Sequence, residues 1–363
     1  MFDLYSGNTP SRLNKEHFKG TVNWISSGEL KEHYIYSSKE QISEEAAKSL
    51  KLLPVGTFVI AIYGLEAEGV RGTGSITQEP STISQACMSF IPKGVIENEF
   101  LYSWYKKHGN VIGIRYAQGT KQQNLSYDML EKFRIAYPNT KEQEKLNKFI
   151  SLLDKRISTQ SKIIDKLQTL IKGIVDSTIL RKEKNAIVGD VCSISEQIRA
   201  EANIDDIITV RLHGNGVCKS SAENLQLGAT QYYRRRAGQL IYGKQNFHNG
   251  AIGIVPISLD NGITSKDIPS FDIDEMKCNS VYLLAQLQSP QYYKPAEALT
   301  TGTGSKRLKE ETFLKMPIVL PNKREQDNIA TLIISISANL DQAKKMLDLF
   351  SIQKQYLLHQ MFI

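Results

Sequence analysis

Basic and aromatic side chains stand side by side at one point of the sequence. The stretch "QYYRRRAG" places Arg234, Arg235 and Arg236 directly after Tyr232 and Tyr233. Guanidinium groups bind phosphates and guanine edges, and aromatic rings stack on bases. The cluster therefore indicates contact with nucleic acid, and of the basic stretches in the chain it is the least typical of a plain solvated surface.

Further polar and basic residues occur in stretches that predict loops. Arg and Lys read guanine, Asn and Gln read adenine, and any of them can instead hold a phosphate. The candidates in the first half of the chain are Asn8, Thr9, Ser11, Arg12, Arg71, Lys121 and Gln122. Those in the second half, besides the cluster above, are Lys244, Gln245, Asn246, His248, Lys306 and Arg307. A solvated charged face is the alternative for each of them.

The sequence lacks several motifs that carry chemistry. It has no Gly-x4-Gly-Lys-Ser/Thr phosphate loop, and no Asn-Pro-Pro-aromatic or Asp-Pro-Pro-aromatic stretch of the kind an adenine methyltransferase needs. "TGTGS" (301–305) predicts a turn rather than a nucleotide cradle. Glu275 and Lys277, which follow Asp272 and Asp274, could serve a metal-dependent nuclease, but such a triplet is common by chance.

Composition sets the broad class of the protein. The chain has 363 residues, 41% hydrophobic and 23% charged, which predicts two or three globular domains. A net charge of +7 permits nucleic-acid binding without establishing it. The four cysteines form no Cys-x-x-Cys pair, so buried thiols of a cytoplasmic protein are expected rather than a zinc site. The apolar runs are too short to cross a bilayer, and the N-terminus shows no secretion signal.

The chain repeats itself at an offset of 183 positions, without a gap. Chance can supply single matches, but not an ungapped run with the same apolar pattern. We therefore interpret the chain as a globular region followed by a long helix, both present twice. The matching pairs include Gly119–Thr120 with Gly302–Thr303, Leu125 with Leu308, Pro138–Asn139 with Pro321–Asn322, and Glu142–Gln143 with Glu325–Gln326.

Each predicted long helix begins after a proline, where Asn139 or Asn322 can cap it and Glu142 or Glu325 stands three residues on. Apolar residues then recur at alternating spacings of four and three, a heptad seam that favours a coiled coil between the two copies over two amphipathic helices on separate cores. A pseudo-twofold arrangement of the two halves favours an antiparallel pair. The seam of the first helix is Leu146, Ile150, Leu153, Ile157, Ile164, Leu167, Ile171 and Ile174. The seam of the second helix is Ile329, Ile333, Ile336, Leu340, Leu347, Phe350 and Leu357.

The two globular regions predict mixed α/β structure. "GTFVIAIYG" (56–64) predicts a buried strand, and "GQLIYGKQNFHNGAIGIVPI" (238–257) predicts two strands joined by a polar loop. "NEFLYSWYKKHG" (98–109) predicts a short helix that begins at Asn98 and stops at Gly109.

Three stretches are similar to the specificity (S) subunit of type I restriction-modification enzymes, and the likeness covers essentially the whole chain. It implies an α+β fold, with two mixed α/β target-recognition domains separated by two long helices that form an antiparallel coiled coil, in a pseudo-twofold internal repeat. The recognition domains are expected at 1–138 and 186–321, and the spacer helices at 139–185 and 322–363. The similar stretches are "SGNTPSR" with "VNWISSGELK" (within 6–31), "AQGTKQQNLSYDMLEKFRIAYPNTKEQEKLNKFISLLD" (117–154) and "TGTGSKRLKEETFLKMPIVLPNKREQ" (301–326).

The resemblance also implies a function and partners. Each recognition domain would read one half of a bipartite double-stranded DNA target. The helices would space these domains and dock two methyltransferase (M) subunits, through which restriction (R) subunits join. The S subunit has no catalytic centre and no cofactor of its own, so S-adenosylmethionine, ATP and Mg²⁺ are expected in the partner subunits. A cytoplasmic location away from membranes is expected.

One feature departs from the family pattern. The second half opens with "AIVGDVCSIS" (186–195), and the family normally has a comparable Leu-Gly-Asp-like segment before its first half as well. This chain starts at about the point after that segment, with "MFDLYSG", so its first recognition domain is expected to lack an edge segment. Two other functions stay open at the level of sequence: a DNA-free coiled-coil scaffold, and a stand-alone nuclease that uses Lys277.

Overall fold

The computed structural model describes residues 1–67, 69–119, 123–220, 230–302 and 306–362. It divides into two compact units, of which unit 1 comprises Met1–Gln160 with Met346–Ile363, and unit 2 comprises Ser161–Lys345. Each unit contains one globular region and part of both long helices. The domain boundaries at residues 138, 185 and 321 stay a prediction from the sequence, because the compact units divide within the helices.

Unit 1 consists of short strands, short helices and the first part of a long helix. Its strands are β1 (Phe2–Ser6), β2 (Val22–Ile25), β3 (Tyr34–Ile35), β4 (Glu40–Ile42), β5 (Phe58–Ala61), β6 (Gly74–Thr77), β7 (Ser81–Ile83) and β8 (Cys87–Pro92). Its helices are α1 (Glu44–Lys48), α2 (Asn98–Tyr116), α3 (Tyr127–Glu131) and the start of α4 (Thr140–Val175).

Two sheets form the globular part of unit 1. The larger sheet has the strand order β1-β8-β5-β6-β3, and the smaller has the order β4-β2-β7. Strand β5 is buried at every position, as its unbroken apolar sequence predicts. Helix α2 packs on the larger sheet, where Phe58, Phe100 and Tyr105 belong to one buried core.

Unit 2 is built from a similar set of elements. Its strands are β9 (Ala186–Ile187), β10 (Cys192–Ile194), β11 (Arg199–Ala200), β12 (Ile208–Val210), β13 (Val217–Lys219), β14 (Tyr232–Arg234), β15 (Leu240–Tyr242), β16 (Ile252–Ile254), β17 (Ile263–Ser265), β18 (Ser270–Ile273) and β19 (Pro317–Ile318). Its helices are α5 (Ser280–Leu287), α6 (Pro290–Tyr293), α7 (Glu310–Leu314) and most of α8 (Lys323–Met361), and α4 ends in a π-helical turn at Asp176–Leu180.

The repeat seen in the sequence recurs in the sheets. The order β10-β18-β15-β16 of unit 2 matches β1-β8-β5-β6 of unit 1, and all of these pairs are antiparallel. An isolated bridge joins Gln118 to Asn124 in unit 1, and the bridge between Thr301 and Arg307 stands 183 positions further on in unit 2. The two strands predicted within 238–257 are β15 and β16, so the predicted α+β fold is confirmed.

The long helices run antiparallel in unit 1. Asp154 of α4 forms an ion pair with Lys354 of α8. The Arg156 guanidinium lies 5.9 Å from the centroid of the Phe350 ring. The residue numbers of the contacts on α8 therefore decrease as those on α4 increase, which means that the two helices are antiparallel here.

The same direction holds in unit 2. Val175 of α4 shares a buried core with Ile329 and Ile333 of α8, and Lys182 forms an ion pair with Glu325. Each seam residue predicted from the heptad spacing, in both helices, is buried or half-buried. The predicted antiparallel pairing of the helices is confirmed.

Both helix starts have the predicted asparagine caps. The Asn139 side-chain oxygen accepts a hydrogen bond from the backbone N–H of Glu142 at 3.1 Å. The Asn322 side-chain oxygen accepts one from the backbone N–H of Glu325 at 3.0 Å. These bonds satisfy helix-end donors that would otherwise lack a partner, which explains why the repeat preserves the Pro-Asn pair.

A buried glutamine then fixes the first turn of α4 to the globular region of unit 1. Gln143 is fully buried. Its side-chain oxygen accepts from the backbone N–H of Glu97 at 2.9 Å, and its amide group donates to the carbonyls of Val95 and Pro138, both at 2.9 Å. Because Glu97 caps α2, this one side chain positions two helices.

Gln326 makes the same set of bonds at the start of α8. It accepts from the backbone N–H of Asn279, the cap of α5, at 2.9 Å. It donates to the carbonyls of Lys277 at 3.1 Å and Pro321 at 2.8 Å. The repeat therefore extends to individual hydrogen bonds, and the sequence match at these glutamines has a structural cause.

The predicted stop of α2 at Gly109 is wrong, because the helix continues to Tyr116. A Cβ atom at Gly109 would lie 2.8 Å from the Tyr105 ring and 3.1 Å from the backbone of Gly72. A Cβ atom at Gly113 would lie 2.6 Å from the Arg71 side chain. The glycines of α2 thus allow the loop at 71–72 to approach the helix, and do not end it.

Candidate nucleic-acid interface

The N-terminal loop of unit 1 holds four of the residues predicted from the sequence. Asn8 and Ser11 are exposed, and Thr9 hydrogen-bonds the side chain of Gln85. Arg12 is exposed but already paired, since its guanidinium donates to both carboxylate oxygens of Glu40, at 3.0 and 2.7 Å. This hydrogen bonding holds the pKa of the Glu40 carboxyl below its ordinary value.

Two aromatic rings also hold Arg12. Its guanidinium carbon lies 4.5 Å from the Phe18 ring centroid and 5.5 Å from the Trp24 ring centroid. A bidentate ion pair with stacking fixes the fork of the side chain. Arg12 is therefore preorganised at the surface, and a phosphate or base would have to share it with Glu40.

The remaining candidates of unit 1 lie elsewhere. Arg71 is half-buried beside α2, and its guanidinium donates to the Gln123 side chain at 2.8 Å. Lys121 and Gln122 lie outside the described residues. Of the described residues on either side, Gln118 and Asn124 are joined by an isolated bridge.

The three arginines of the cluster in unit 2 have different environments. Arg234 and Arg236 are exposed, whereas Arg235 is fully buried. Tyr232 is buried in the sheet, and Tyr233 is half-buried. Only part of the cluster is therefore accessible to a ligand.

The buried guanidinium of Arg235 is bonded to neutral groups. It donates to the hydroxyls of Thr264 at 2.7 Å and Ser270 at 2.8 Å, to the side-chain oxygen of Gln197 at 3.3 Å, and to the Ile268 carbonyl at 3.0 Å. Burial lowers the pKa of Arg235 to about 10, so the group stays charged near neutral pH. Because its donors are used inside the unit, we do not expect this residue to contact DNA directly.

Arg234 lines a polar groove of about 650 Å³ in unit 2. Two further exposed basic residues that sequence reasoning missed, Arg199 and Lys219, line the same groove. Strand pairing brings Arg199 close to Arg234, because β11, which carries Arg199, pairs with β14, which carries Arg234. The groove also has acidic residues on its wall, namely Glu201, Asp205, Asp206 and Asp260. Its mixed charge suits polar base edges, which present both donors and acceptors.

Two other candidates of unit 2 are held by internal partners. Lys244 is half-buried and forms an ion pair with Glu310 at 2.7 Å. His248 is half-buried, and its ring nitrogen Nε2 lies 3.3 Å from the Asn249 amide. Asn246 and Gln245 are exposed.

Lys306 and Arg307 are two further exposed basic residues of unit 2. Lys306 pairs with Glu297 at 3.4 Å, and Arg307 pairs with Asp267 at 3.3 Å. Exposed ion pairs of this kind contribute little to stability and can exchange a carboxylate for a phosphate. Contact of these residues with DNA stays a prediction.

The groups considered for a nuclease are engaged in local contacts. Lys277 forms an ion pair with Asp274 at 3.0 Å, and Glu275 accepts a hydrogen bond from the backbone N–H of Ser280 at 3.4 Å. Among the described residues, no group of three or more His, Cys, Asp or Glu side chains is arranged to hold a metal ion.

The cysteines and the helices can be set against what a thiol-reactive protein and a membrane-spanning protein would require. Cys87, Cys192 and Cys278 are buried free thiols, and Cys218 is half-buried. Burial raises the pKa of Cys87 to about 12, as expected of a packed thiol rather than a reactive one. Within the described ranges, no helix has both the length and the apolar character needed to cross a bilayer.

Residues 1–169 match the family profile described as "Type I restriction modification DNA specificity domain". The chain is 29% identical over 174 residues to the type I restriction enzyme MjaIX specificity subunit of Methanocaldococcus jannaschii, a match that covers 46% of this chain and 39% of the relative. It is 30% identical over 156 residues to the EcoR124I/EcoR124II specificity subunit of Escherichia coli, covering 42% of this chain and 37% of the relative. The matches thus span about two fifths of these curated relatives.

Solved structures extend the likeness to the whole fold. The S subunit of a type I restriction-modification system from M. genitalium superposes with a TM-score of 0.63 at 13% identity, covering 100% of this chain and 94% of that one. A chain from a structure of the assembly of the type I R-M system superposes with a TM-score of 0.54 at 12% identity, covering 98% and 96%. At such low identity these two matches concern the fold alone.

Proposed function

We propose that this protein selects the DNA sequence for a type I restriction-modification system, because residues 1–169 match the profile of the type I DNA specificity domain and the whole chain has the fold of a solved S subunit. It would read a bipartite double-stranded target with two recognition domains, one in each globular region. The observation that carries the proposal is the repeat: the specificity domain matched in the first half has a counterpart of the same sheet order in the second.

The surfaces available for reading differ between the two globular regions. The first offers the exposed loop of Asn8 and Ser11 with the preorganised Arg12. The second offers the groove lined by Arg234 and Arg199. Because the polar groups on these surfaces differ, the two halves of the DNA target are expected to differ in sequence.

The helices are proposed to dock two M subunits. Phe149 of α4 and Leu332 of α8 stand at matching positions of the repeat, and each is between 40% and 50% exposed. Ile163 and Met346 form a second matching pair, also at least 40% exposed. Large apolar side chains that stay exposed at the same place in both copies are typical of a protein-binding surface. One M subunit on each copy, with R subunits joining through them, follows from this repetition.

The chain itself is proposed to be non-catalytic and located in the cytoplasm. Methylation with S-adenosylmethionine, and ATP- and Mg²⁺-dependent cleavage, would be carried out by the M and R subunits. The residues of this chain would contribute recognition and spacing only.

A binding experiment with randomised DNA tests the proposal. The chain is reconstituted with its M subunit and presented with duplexes whose two half-sites and spacer are randomised. Selection of one bipartite sequence is expected, with an affinity that falls steeply as salt rises because phosphates are contacted. Arg234→Ala is expected to weaken binding, and Lys266→Ala serves as a matched basic control that does not line the groove.

Two outcomes would replace the proposal. Equal binding to all duplexes, or no binding while M still associates, would favour a DNA-free scaffold. Metal-dependent cutting by the chain alone, lost in Lys277→Ala, would favour the nuclease. Sequencing of methylated bases in cells that carry the chain and its M partner would then identify the DNA target.

A further inference from the structure

One histidine of unit 1 lies between two tyrosine rings. His33 precedes β3, and its ring stacks on Tyr34 with centroids 4.0 Å apart and on Tyr102 of α2 with centroids 3.9 Å apart. The interplanar angles are 9° and 4°. This double stack fixes the plane of the imidazole, so its two nitrogens point in defined directions.

The two nitrogens face two carboxylates on different helices. Nε2 lies 2.9 Å from Oε2 of Glu99 on α2, and Nδ1 lies 3.8 Å from Oδ2 of Asp154 on α4. The Tyr34 hydroxyl donates to the other oxygen of Glu99 at 3.1 Å. A neutral imidazole has only one N–H, so only the imidazolium can donate toward both carboxylates.

The carboxylate of Asp154 faces Nδ1 of His33, and within the described part of the chain only one of its two oxygens has another partner. Its Oδ2 atom is buried and has no hydrogen-bond partner among the described residues, while its Oδ1 atom is paired with Lys354 of α8. A buried carboxylate oxygen without a partner is costly, and a proton on His33 Nδ1 supplies the missing positive charge. The contact therefore connects the globular region to both long helices through one side chain.

The wider set of charges balances only when His33 is protonated. Besides Glu99 and Asp154, the acidic Glu32 faces this cluster, and the basic groups are Lys354 and Lys106, which lies 5.6 Å from the Tyr102 ring. Three carboxylates then stand against two ammonium groups. The imidazolium brings the sum to zero.

We propose that His33, as an imidazolium, is a positioning residue that holds the globular region of unit 1 in one orientation on the helix pair, and that loss of the proton releases it. The stacked rings keep the imidazole in place, and the charge state decides whether Asp154 is engaged. The globular region would then be held firmly at lower pH and loosely at higher pH.

The direction of this dependence follows from the surroundings of the ring. Burial by itself lowers the pKa of His33, but the contacts with Asp154 and Glu99 outweigh burial and raise the pKa above its ordinary value. A raised pKa in the folded protein means that the contact stabilises fully below about 6.5, the pKa of an unfolded histidine. The stabilisation is lost as the pH rises through the folded-state value.

A distance measurement in the full chain tests the proposal. Spin labels are placed at Lys39→Cys in the globular region and at Lys155→Cys on α4, both exposed, in a background where the half-buried Cys218 is Ser. We expect a narrow distance distribution at pH 5.5 that broadens toward pH 9. His33→Gln should be broad throughout, whereas His17→Gln, a control in the same unit, should follow the parent chain.

Histidine NMR provides a second measurement that a purely structural role would not move. The His33 signal should titrate above the ordinary value, and Asp154→Asn should lower its pKa. Titration at or below about 6.5, or a distribution of constant width across the pH series, would overturn the proposal even if His33→Gln failed to fold. If the chain reads DNA as proposed above, discrimination between spacer lengths should also weaken at high pH. That last readout alone rests on the proposed function, so its failure is separable from failure of the distance measurement.

Discussion

Replacing Arg235 by methionine should destabilise unit 2 while leaving direct DNA contacts in place. The side chain is fully buried and donates to Thr264, Ser270, Gln197 and the Ile268 carbonyl. Methionine has a similar length, so the change removes the donors without opening a large cavity. The perturbation therefore isolates the hydrogen bonds.

The magnitude follows from what is left without a partner. The Thr264 hydroxyl already donates to the Ile268 carbonyl at 2.9 Å, so these two groups remain paired with each other. The buried hydroxyl of Ser270 loses its donor, at about 1–3 kcal/mol, whereas Gln197 is exposed and its amide oxygen can bond to water instead. Relief of a buried charge that has no carboxylate partner among the described residues opposes this loss. We expect a net loss of about 1–3 kcal/mol.

Hydrogen exchange measured by mass spectrometry resolves the effect within the full chain. Peptides that cover β14, β17 and β18 should exchange faster, because Arg235 directly follows β14 and its partners Thr264 and Ser270 lie in β17 and β18. Tryptophan fluorescence serves as a control, since Trp24 and Trp104, the two tryptophans of the chain, both lie in unit 1. Arg236→Ala, at an exposed position, should change the stability by less than about 0.5 kcal/mol.

The opposite pattern would refute this reasoning. If Arg235→Met left exchange in these strands unchanged and instead relaxed the base preference in one half-site only, Arg235 would be a base reader. The burial described above would then not represent the DNA-binding state of unit 2.

Three further predictions concern the residues matched by the repeat and the histidine His33. Gln143→Leu and Gln326→Leu should each lower the free energy of unfolding by about 2–4 kcal/mol, because each removes three buried hydrogen bonds. Tryptophan emission should report the first change and hydrogen exchange the second. Unchanged stability of either variant would contradict the role of the matched glutamines. Phe149→Ser and Leu332→Ser should each change the stability by no more than about 0.5 kcal/mol. Each variant should lose one bound M subunit, measured as a lower mass of the complex in light scattering. The proposal fails if both variants still bind two M subunits. The stability advantage of the parent chain over His33→Gln should shrink as pH rises in urea titrations; a constant advantage would show that the charge state is irrelevant.

Features that repeat along the chain could be predicted closely. The caps at Asn139 and Asn322 and the heptad seam were predicted correctly because capping and helix periodicity involve residues a few positions apart. The end of α2 was predicted wrongly from its glycine, because a glycine that ends a helix and a glycine that lets a neighbouring loop pack closely cannot be distinguished in the sequence. The contact between Gly109 and Gly72 distinguishes them, and it joins residues 37 positions apart.

The candidate interface was predicted less completely for the same reason. Three adjacent arginines are chemically equal in sequence, yet Arg235 alone finds four acceptors, contributed by segments 29 to 38 positions away. Arg199 had no aromatic neighbours to single it out, and only the pairing of β11 with β14 brings it beside Arg234.

The sequence by itself determined the duplication, the helix starts and the seam along which the helices pair, because each depends on local spacing. Only the tertiary structure decided which charged side chains turn inward. A charge can be buried only where distant segments supply its partners, as Asp154, Lys354 and Glu99 do around His33. Those partners are more than sixty residues from His33 in sequence, so no local pattern could have predicted their meeting.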